Sequence, residues 1–135
     1  MLRREFTATG TVTIAATVLK TIEHLDRLGV FNVEVVNNSG TVTLDQFIVA
    51  LKDHPDGEWY TYLSATDFDA NFLDFDADVK PPWLLFTQST GPHELGPAGK
   101  AHFIFDAHRA YGVRFSAACV GAGAEVASVT VRGSY

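Results

Sequence analysis

"YGVRFSAAC", residues 111 to 119, sets Tyr111, Val113, Phe115, Ala117 and Cys119 at every second position, with Arg114 and Ser116 between them. Successive side chains of an extended strand point to opposite faces, so this spacing makes one apolar row and one polar row. The same alternation recurs on both sides of the segment. Upstream, "KAHFIFD" (100–106) alternates through Ala101, Phe103 and Phe105. Downstream, "GAGA" (121–124) turns the chain, and "VASVTVRGS" (126–134) brings Ala127, Val129 and Val131 inward.

Farther out the period of two persists. In "TVTIAATV" (11–18), Val12, Ile14, Ala16 and Val18 share one face and Thr11, Thr13 and Thr17 the other, which reads as one half-buried strand. "FNVEVVN" (31–37) alternates Phe31, Val33 and Val35 with Asn32 and Glu34, and "NNSG" (37–40) supplies turn-tolerant residues, predicting a hairpin into the next strand. That strand, "TVTLDQFIVALKD" (41–53), buries Val42 and Leu44 and then Phe47, Val49 and Leu51, so its inward parity changes; a bulge near Asp45 and Gln46 accounts for the change. "HPDGE" (54–58) combines Pro with Asp-Gly and joins it to "WYTYLSA" (59–65) as a hairpin. "KPP" (80–82) interrupts pairing, "WLLFTQS" (83–89) reads as a strand buried on both faces, and "STGPHELGPAG" (89–99) is a long loop. Only "LKTIEHLDRLG" (19–29) departs: Leu19, Ile22, Leu25 and Leu28 at spacing three, before Gly29, read as a short helix or an irregular connection.

The expectation is an all-β protein: two antiparallel sheets stacked as a β-sandwich of about seven or eight strands, immunoglobulin-like or jelly-roll in topology. At 135 residues and 47% hydrophobic composition the chain fits one domain, 1–135, with residues 1–5 as a flexible arm carrying Arg3 and Arg4. A formal net charge of -6 argues against nucleic acid and against anionic lipid, both of which need clustered Lys and Arg. No segment approaches the roughly 20 apolar residues that span a bilayer. There is no secretory h-region after "MLRREFTATG", and the single cysteine, Cys119, reads as a small core hydrophobe, so a soluble protein made in a reducing cytoplasm is expected.

The acidic stretch "DFDANFLDFDAD" (67–78) resembles a calcium loop in spacing but fails as an EF-hand: counted from Asp67, the turn position that needs Gly is Phe72, and the closing Glu is Asp78. Asp67, Asp69, Asp74, Asp76 and Asp78 could still relieve their repulsion on a divalent cation; the favoured reading is a crossover anchored by Phe68, Phe72, Leu73 and Phe75 with its carboxylates in water. His24, His54, His93, His102 and His108 form no metal-ligand spacing, and Asp106 with His108 reads as a surface turn. No nucleophile elbow and no phosphate cradle occur. The expectation is no catalytic residue, no cofactor and no metal site. Trp59, Tyr60, Tyr62 and Trp83 could form a sugar platform, with packing the favoured alternative.

Residues 111–133, "YGVRFSAACVGAGAEVASVTVRG", resemble the last two strands of fibronectin type III and immunoglobulin-like domains, and "DAHRAYGV" (106–113) resembles the corner at which such domains bond a Tyr hydroxyl to the main chain. The chain lacks their Cys pair and early Trp, which keeps jelly-roll topology open. Together with "VVNNSGTVTLDQFIVAL" (35–51), the same residues resemble small β-sandwich virion structural proteins of tailed bacteriophages. That resemblance implies a non-enzymatic structural protein, a capsid decoration, connector or tail component, found in the virion after assembly in the host cytoplasm. It implies other virion proteins or copies of itself as partners, hence a homo-oligomer, with loops 53–58 and 89–99 and the basic arm as contacts. The alternative is a carbohydrate-binding β-sandwich module.

Overall fold

The structure is a computed structural model that describes residues 4–25, 30–65, 84–90, 98–107, 110–119 and 126–135. Nine strands run in chain order: β1 (Glu5–Val12), β2 (Thr17–Ile22), β3 (Val30–Asn37), β4 (Leu44–Lys52), β5 (Trp59–Ala65), β6 (Leu84–Thr90), β7 (Lys100–Asp106), β8 (Gly112–Cys119) and β9 (Ala127–Ser134). No helix occurs among the described residues. All pairings are antiparallel, in a five-stranded sheet ordered β1-β9-β3-β7-β6 and a four-stranded sheet ordered β2-β8-β4-β5.

The chain changes sheet at every connection except β4 to β5 and β6 to β7. Setting β6 aside, β1-β9-β3-β7 facing β2-β8-β4-β5 is the order of a jelly roll, two interlocked Greek keys. The fold is therefore the expected two-sheet sandwich, and of the two topologies the jelly roll is the one found. The last two strands, which in an immunoglobulin-like domain share a sheet, lie in different layers: β8 between β2 and β4, β9 between β1 and β3.

The inward rows are those of the alternation. Phe31, Val33, Val35, Phe105, Val113, Phe115, Ala117, Ala127, Val129 and Val131 are all buried, as is Cys119. The two layers are keyed by rings. Phe115, at the centre of the four-stranded sheet, stacks on Phe6 of β1 at 5.6 Å between centroids and meets Phe31 and Phe105 edge-on at 6.4 and 6.3 Å. Phe47 lies beside it at 6.1 Å, and Tyr135 extends the stack over Phe31 at 4.9 Å.

Bulges keep this row intact. The pairing of β4 with β8 shifts between Leu44 and Gln46, at the place where the parity change requires it, so Leu44 and Phe47 both reach the core. A second shift, between Val18 and Lys20, corrects the reading of residues 19–29. Leu19 is the extra residue there, so Leu19 and Ile22 face inward at a spacing of three on a strand, which mimics a helical period. Residues 23–25 are irregular and 26–29 lie outside the described residues.

Two further expectations change at the sheet corners. "TVTIAATV" is not one strand. β1 ends at Val12, the chain bends at 14–15, and β2 starts at Thr17, leaving Ile14, Ala16 and Val18 exposed. "NNSG" does not close a hairpin but carries the chain from β3 to the other layer. Asn37 is fully buried at this corner, where its Nδ2 donates to the Val42 carbonyl at 2.7 Å and its Oδ1 accepts from the Ser39 N–H at 3.0 Å. A buried amide that satisfies a turn's main chain costs little, and it bends the chain away from its own sheet. The hairpin at 54–58 is as expected, with the Gly57 N–H bonded to the His54 carbonyl at 2.9 Å. Of the arm at 1–5, Arg4 exchanges both main-chain bonds with Tyr135 and Glu5 opens β1; residues 1–3 lie outside the described residues. Among the described residues β6 is an edge strand, paired with β7.

Because Phe115 touches four other phenylalanines across and within the layers, Phe115→Ala is expected to cost about 3–5 kcal/mol of unfolding free energy, read from a urea titration. Thr7→Ala on the outer face serves as the control, expected within about 0.5 kcal/mol of the native chain.

Candidate functional site

The residues singled out by type do not converge. His24 lies at the end of the four-stranded sheet, His54 in the β4–β5 turn and His102 on the outer face of the five-stranded sheet, and no group of three or more His, Cys, Asp or Glu side chains is placed to hold a metal among the described residues. His93, His108, Trp83 and the acidic stretch 67–78 lie outside the described residues, as does the side chain of Tyr62. Trp59 is half-buried: the Arg114 guanidinium lies 4.8 Å and the Lys52 ammonium 5.5 Å from its ring centroid. Arg114 Nε is buried with no hydrogen-bond partner among the described residues, and the guanidinium lies against the ring of Trp59. Tyr60 points the other way and is 58% exposed.

Tyr111 stands at the same end. Its hydroxyl meets the His24 imidazole, 3.1 Å from Nδ1, instead of bonding to the main chain as in the corner it resembled. His24 adopts a left-handed φ of 60°, a conformation that His tolerates better than most side chains, and this sets its ring edge-on to Tyr111. Burial pushes the Tyr111 phenol above its ordinary range, and the negative charge and hydrogen bond of Glu23 push it further the same way. Glu23 also faces Lys52 at 4.0 Å. Four strand ends are thereby tied into one polar cluster.

The outer face of the five-stranded sheet is flat and polar. Thr7, Thr9 and Thr11 of β1 stand beside Ser128, Thr130 and Arg132 of β9 and Asn32 and Glu34 of β3. The Thr9 and Thr130 hydroxyls share a hydrogen bond of 2.8 Å, Arg132 Nε donates to Glu34 at 2.7 Å, and His102 bonds to Asn32. A shallow open depression of about 450 Å³ lies over Glu5, Asn32, Glu34, His102 and Arg132. Its floor is crossed by Gly133, where a Cβ would fall on the Asn32 carbonyl oxygen. Arg132 is engaged by Glu34 and His102 by Asn32, so two of the ionisable groups over this depression are already held by neighbours.

The remaining feature is the border of the sandwich. β1 pairs with β9 without a break over all eight residues and has no neighbour on its other side among the described residues. It carries no Pro, no Lys and no bulge, the devices that usually blunt an edge. At the end of β1 lies an apolar corner, where Ile14 and Val18 are 52% and 51% exposed, beside the exposed Ala15 and Ala16. Val126, 48% exposed, precedes Ala127, the partner of Val12, and so joins the same corner. Ile14, Ala16 and Val18 stand in plain view in the sequence, but as inward members of a strand; the structure turns them outward to the corner.

No protein-family model and no curated protein matches the sequence. Among solved structures, the SPBc2 prophage-derived protein YomS aligns over 100% of this chain and 96% of its own, with 11% identity and a TM-score of 0.48.

The Tyr111 environment is open to titration. The native protein keeps the phenol proton longer than the unfolded chain does, so this contribution to stability is whole below the ordinary phenol value of about 10 and is lost as pH rises from there through the native value. Phenolate absorbance, taken as the difference between the native protein and Tyr111→Phe, is expected to show Tyr111 titrating above its value in urea, with Glu23→Gln bringing the two closer. Equal values in the native and unfolded chains would contradict this assignment.

Proposed function

We propose that this chain is a non-enzymatic structural protein of a phage-type virion, a capsid decoration, connector or tail component, that works through protein–protein contacts. The observation that carries the reading is the unblocked β1 border with its exposed apolar corner, on a sandwich whose interior is filled by its own rings. Among the described residues the space between the layers is filled by packed rings, which favours a role carried by the exterior. The exterior offers main-chain hydrogen bonds, apolar corner residues and the exposed turn at 53–58. Jelly rolls serve as capsid and lectin domains alike, so fold analogy supports assembly and sugar binding equally. Trp59 separates the two readings. A sugar platform needs a free ring face, and the Trp59 ring already has the Arg114 guanidinium at 4.8 Å and the Lys52 ammonium at 5.5 Å.

Assembly makes a direct demand on solution behaviour. The chain is expected to enter oligomers or co-purify with large particles, as read by size-exclusion chromatography with light scattering and by sedimentation. Ile14→Asp with Val18→Asp is expected to abolish co-assembly while leaving the thermal midpoint within a few degrees, since both side chains are half exposed. A protein that stays monomeric, sediments with nothing and shifts its Trp fluorescence on a glycan array would instead be the carbohydrate-binding module.

A further inference from the structure

We infer that the β1 border is a self-pairing site, at which two copies join antiparallel strands about a twofold axis and fuse their five-stranded sheets into one of ten. The inference deepens the assembly reading by naming a partner and a surface. It begins with hydrogen-bond phase. Arg4 and Tyr135 exchange both main-chain bonds, N–H to O at 3.0 and 2.9 Å, which fixes Arg4 and every second residue after it as the members that bond to β9. The N–H and C=O groups of Glu5, Thr7, Thr9 and Thr11 therefore point outward, and they have no hydrogen-bond partner among the described residues.

Four outward residues at alternate positions are self-complementary in one antiparallel register. Pairing Glu5 with Thr11 and Thr7 with Thr9 of the second copy, and the reverse, uses all eight groups on each strand. Shifting by two residues strands some of them. In the full register Glu5 meets a Thr and not its own copy, the bulk of Phe6 comes opposite Gly10, and Ala8 faces Ala8 on the axis. No bulky pair and no like charges are opposed. The charge distribution agrees: in a chain of net charge -6, the eight residues of β1 include one ionisable side chain, Glu5, at the end. In the second layer β2 packs against both β1 and β9. A single strand pair belongs to the small class of specific interfaces, below about 1,200 Å², so the association is expected to be reversible and to depend on concentration.

The register dictates the test. Light scattering across a concentration series is expected to show a monomer–dimer equilibrium in the native chain. Thr7→Lys with Thr9→Lys sets like charges opposite each other and is expected to leave only monomer; Thr7→Lys with Thr9→Glu sets opposite charges there and is expected to restore the dimer. Circular-dichroism melts of both variants confirm folding. Ala8→Cys is expected to form a disulfide-linked dimer under mild oxidation, because opposed residues of a non-hydrogen-bonded pair stand about 4.5 Å apart at Cα, inside the range a disulfide spans. The buried Cys119 leaves the native chain uncrosslinked under the same conditions. A native chain that is monomeric throughout, with no crosslink through Ala8→Cys, overturns the inference, and so does a dimer indifferent to both charge pairs. If the pairing fails while the chain still sediments with particles, only the partner is wrong; a β1 dimer that enters no larger assembly instead refutes the assembly reading.

Discussion

The insertion of Phe115 among Phe6, Phe31 and Phe105 is the contact on which the two layers depend. Ladder hydrogen bonds fix strands within each sheet, but none of them runs between sheets, so the sandwich is held across its middle by side chains alone. Four rings from three strands of one layer and one strand of the other, with Phe47 alongside, supply that contact at centroid distances of 5.2 to 6.4 Å. Once this key is set, every strand near it has to present an apolar residue at a fixed phase. The bulges at Leu19 and between Leu44 and Gln46 follow from that demand: each inserts one residue so that the inward row resumes in step.

This explains which parts of the fold could be read from the sequence. Where a strand runs straight, as in β3, β8 and β9, alternation identifies it residue by residue, and the bulge in β4 shows as a parity change because long apolar residues flank it on both sides. The bulge in β2 stayed hidden because Leu19 and Ile22 at spacing three look helical without knowledge of the partner strand. Corners stayed hidden for a related reason. "NNSG" has the residues of a hairpin turn, and nothing local says whether the chain returns to the same sheet or crosses to the other; that is decided by Asn37, buried and bonded to Val42. The likeness of residues 111–133 to an immunoglobulin-like terminal pair fails on the same point, since alternation in two successive strands carries no information on whether they are neighbours.

The candidate site was legible to a smaller degree. Its residues are ordinary Thr, Ala, Ile and Val, and their meaning comes from position. Ile14 and Val18 continue the alternation of Val12, yet the bend at 14–15 turns them outward. Conversely, the residue types that attract notice in a sequence, His24, His102, Trp59 and Tyr111, are occupied with structural partners. Trp59 serves as a receptor for two cations, Tyr111 packs against His24, and His102 bonds to Asn32.

The treatment of the borders follows from the way the chain closes. β1 is the first strand and rests on the last, β9, which is itself held between β1 and β3. β2, the border of the other layer, is interrupted by its bulge and carries Lys20, so its outward groups fall out of regular phase and discourage a further strand. β1 keeps strict phase because Phe6 and Val12 at its two ends are both buried, and a bulge between them would turn one of them out of the core. A strand held to such regularity by its inner face cannot also be irregular at its outer edge. The same constraint that locks β1 into the ring-filled core thus leaves four evenly spaced pairs of main-chain groups on the border, in the phase that a second regular strand would match.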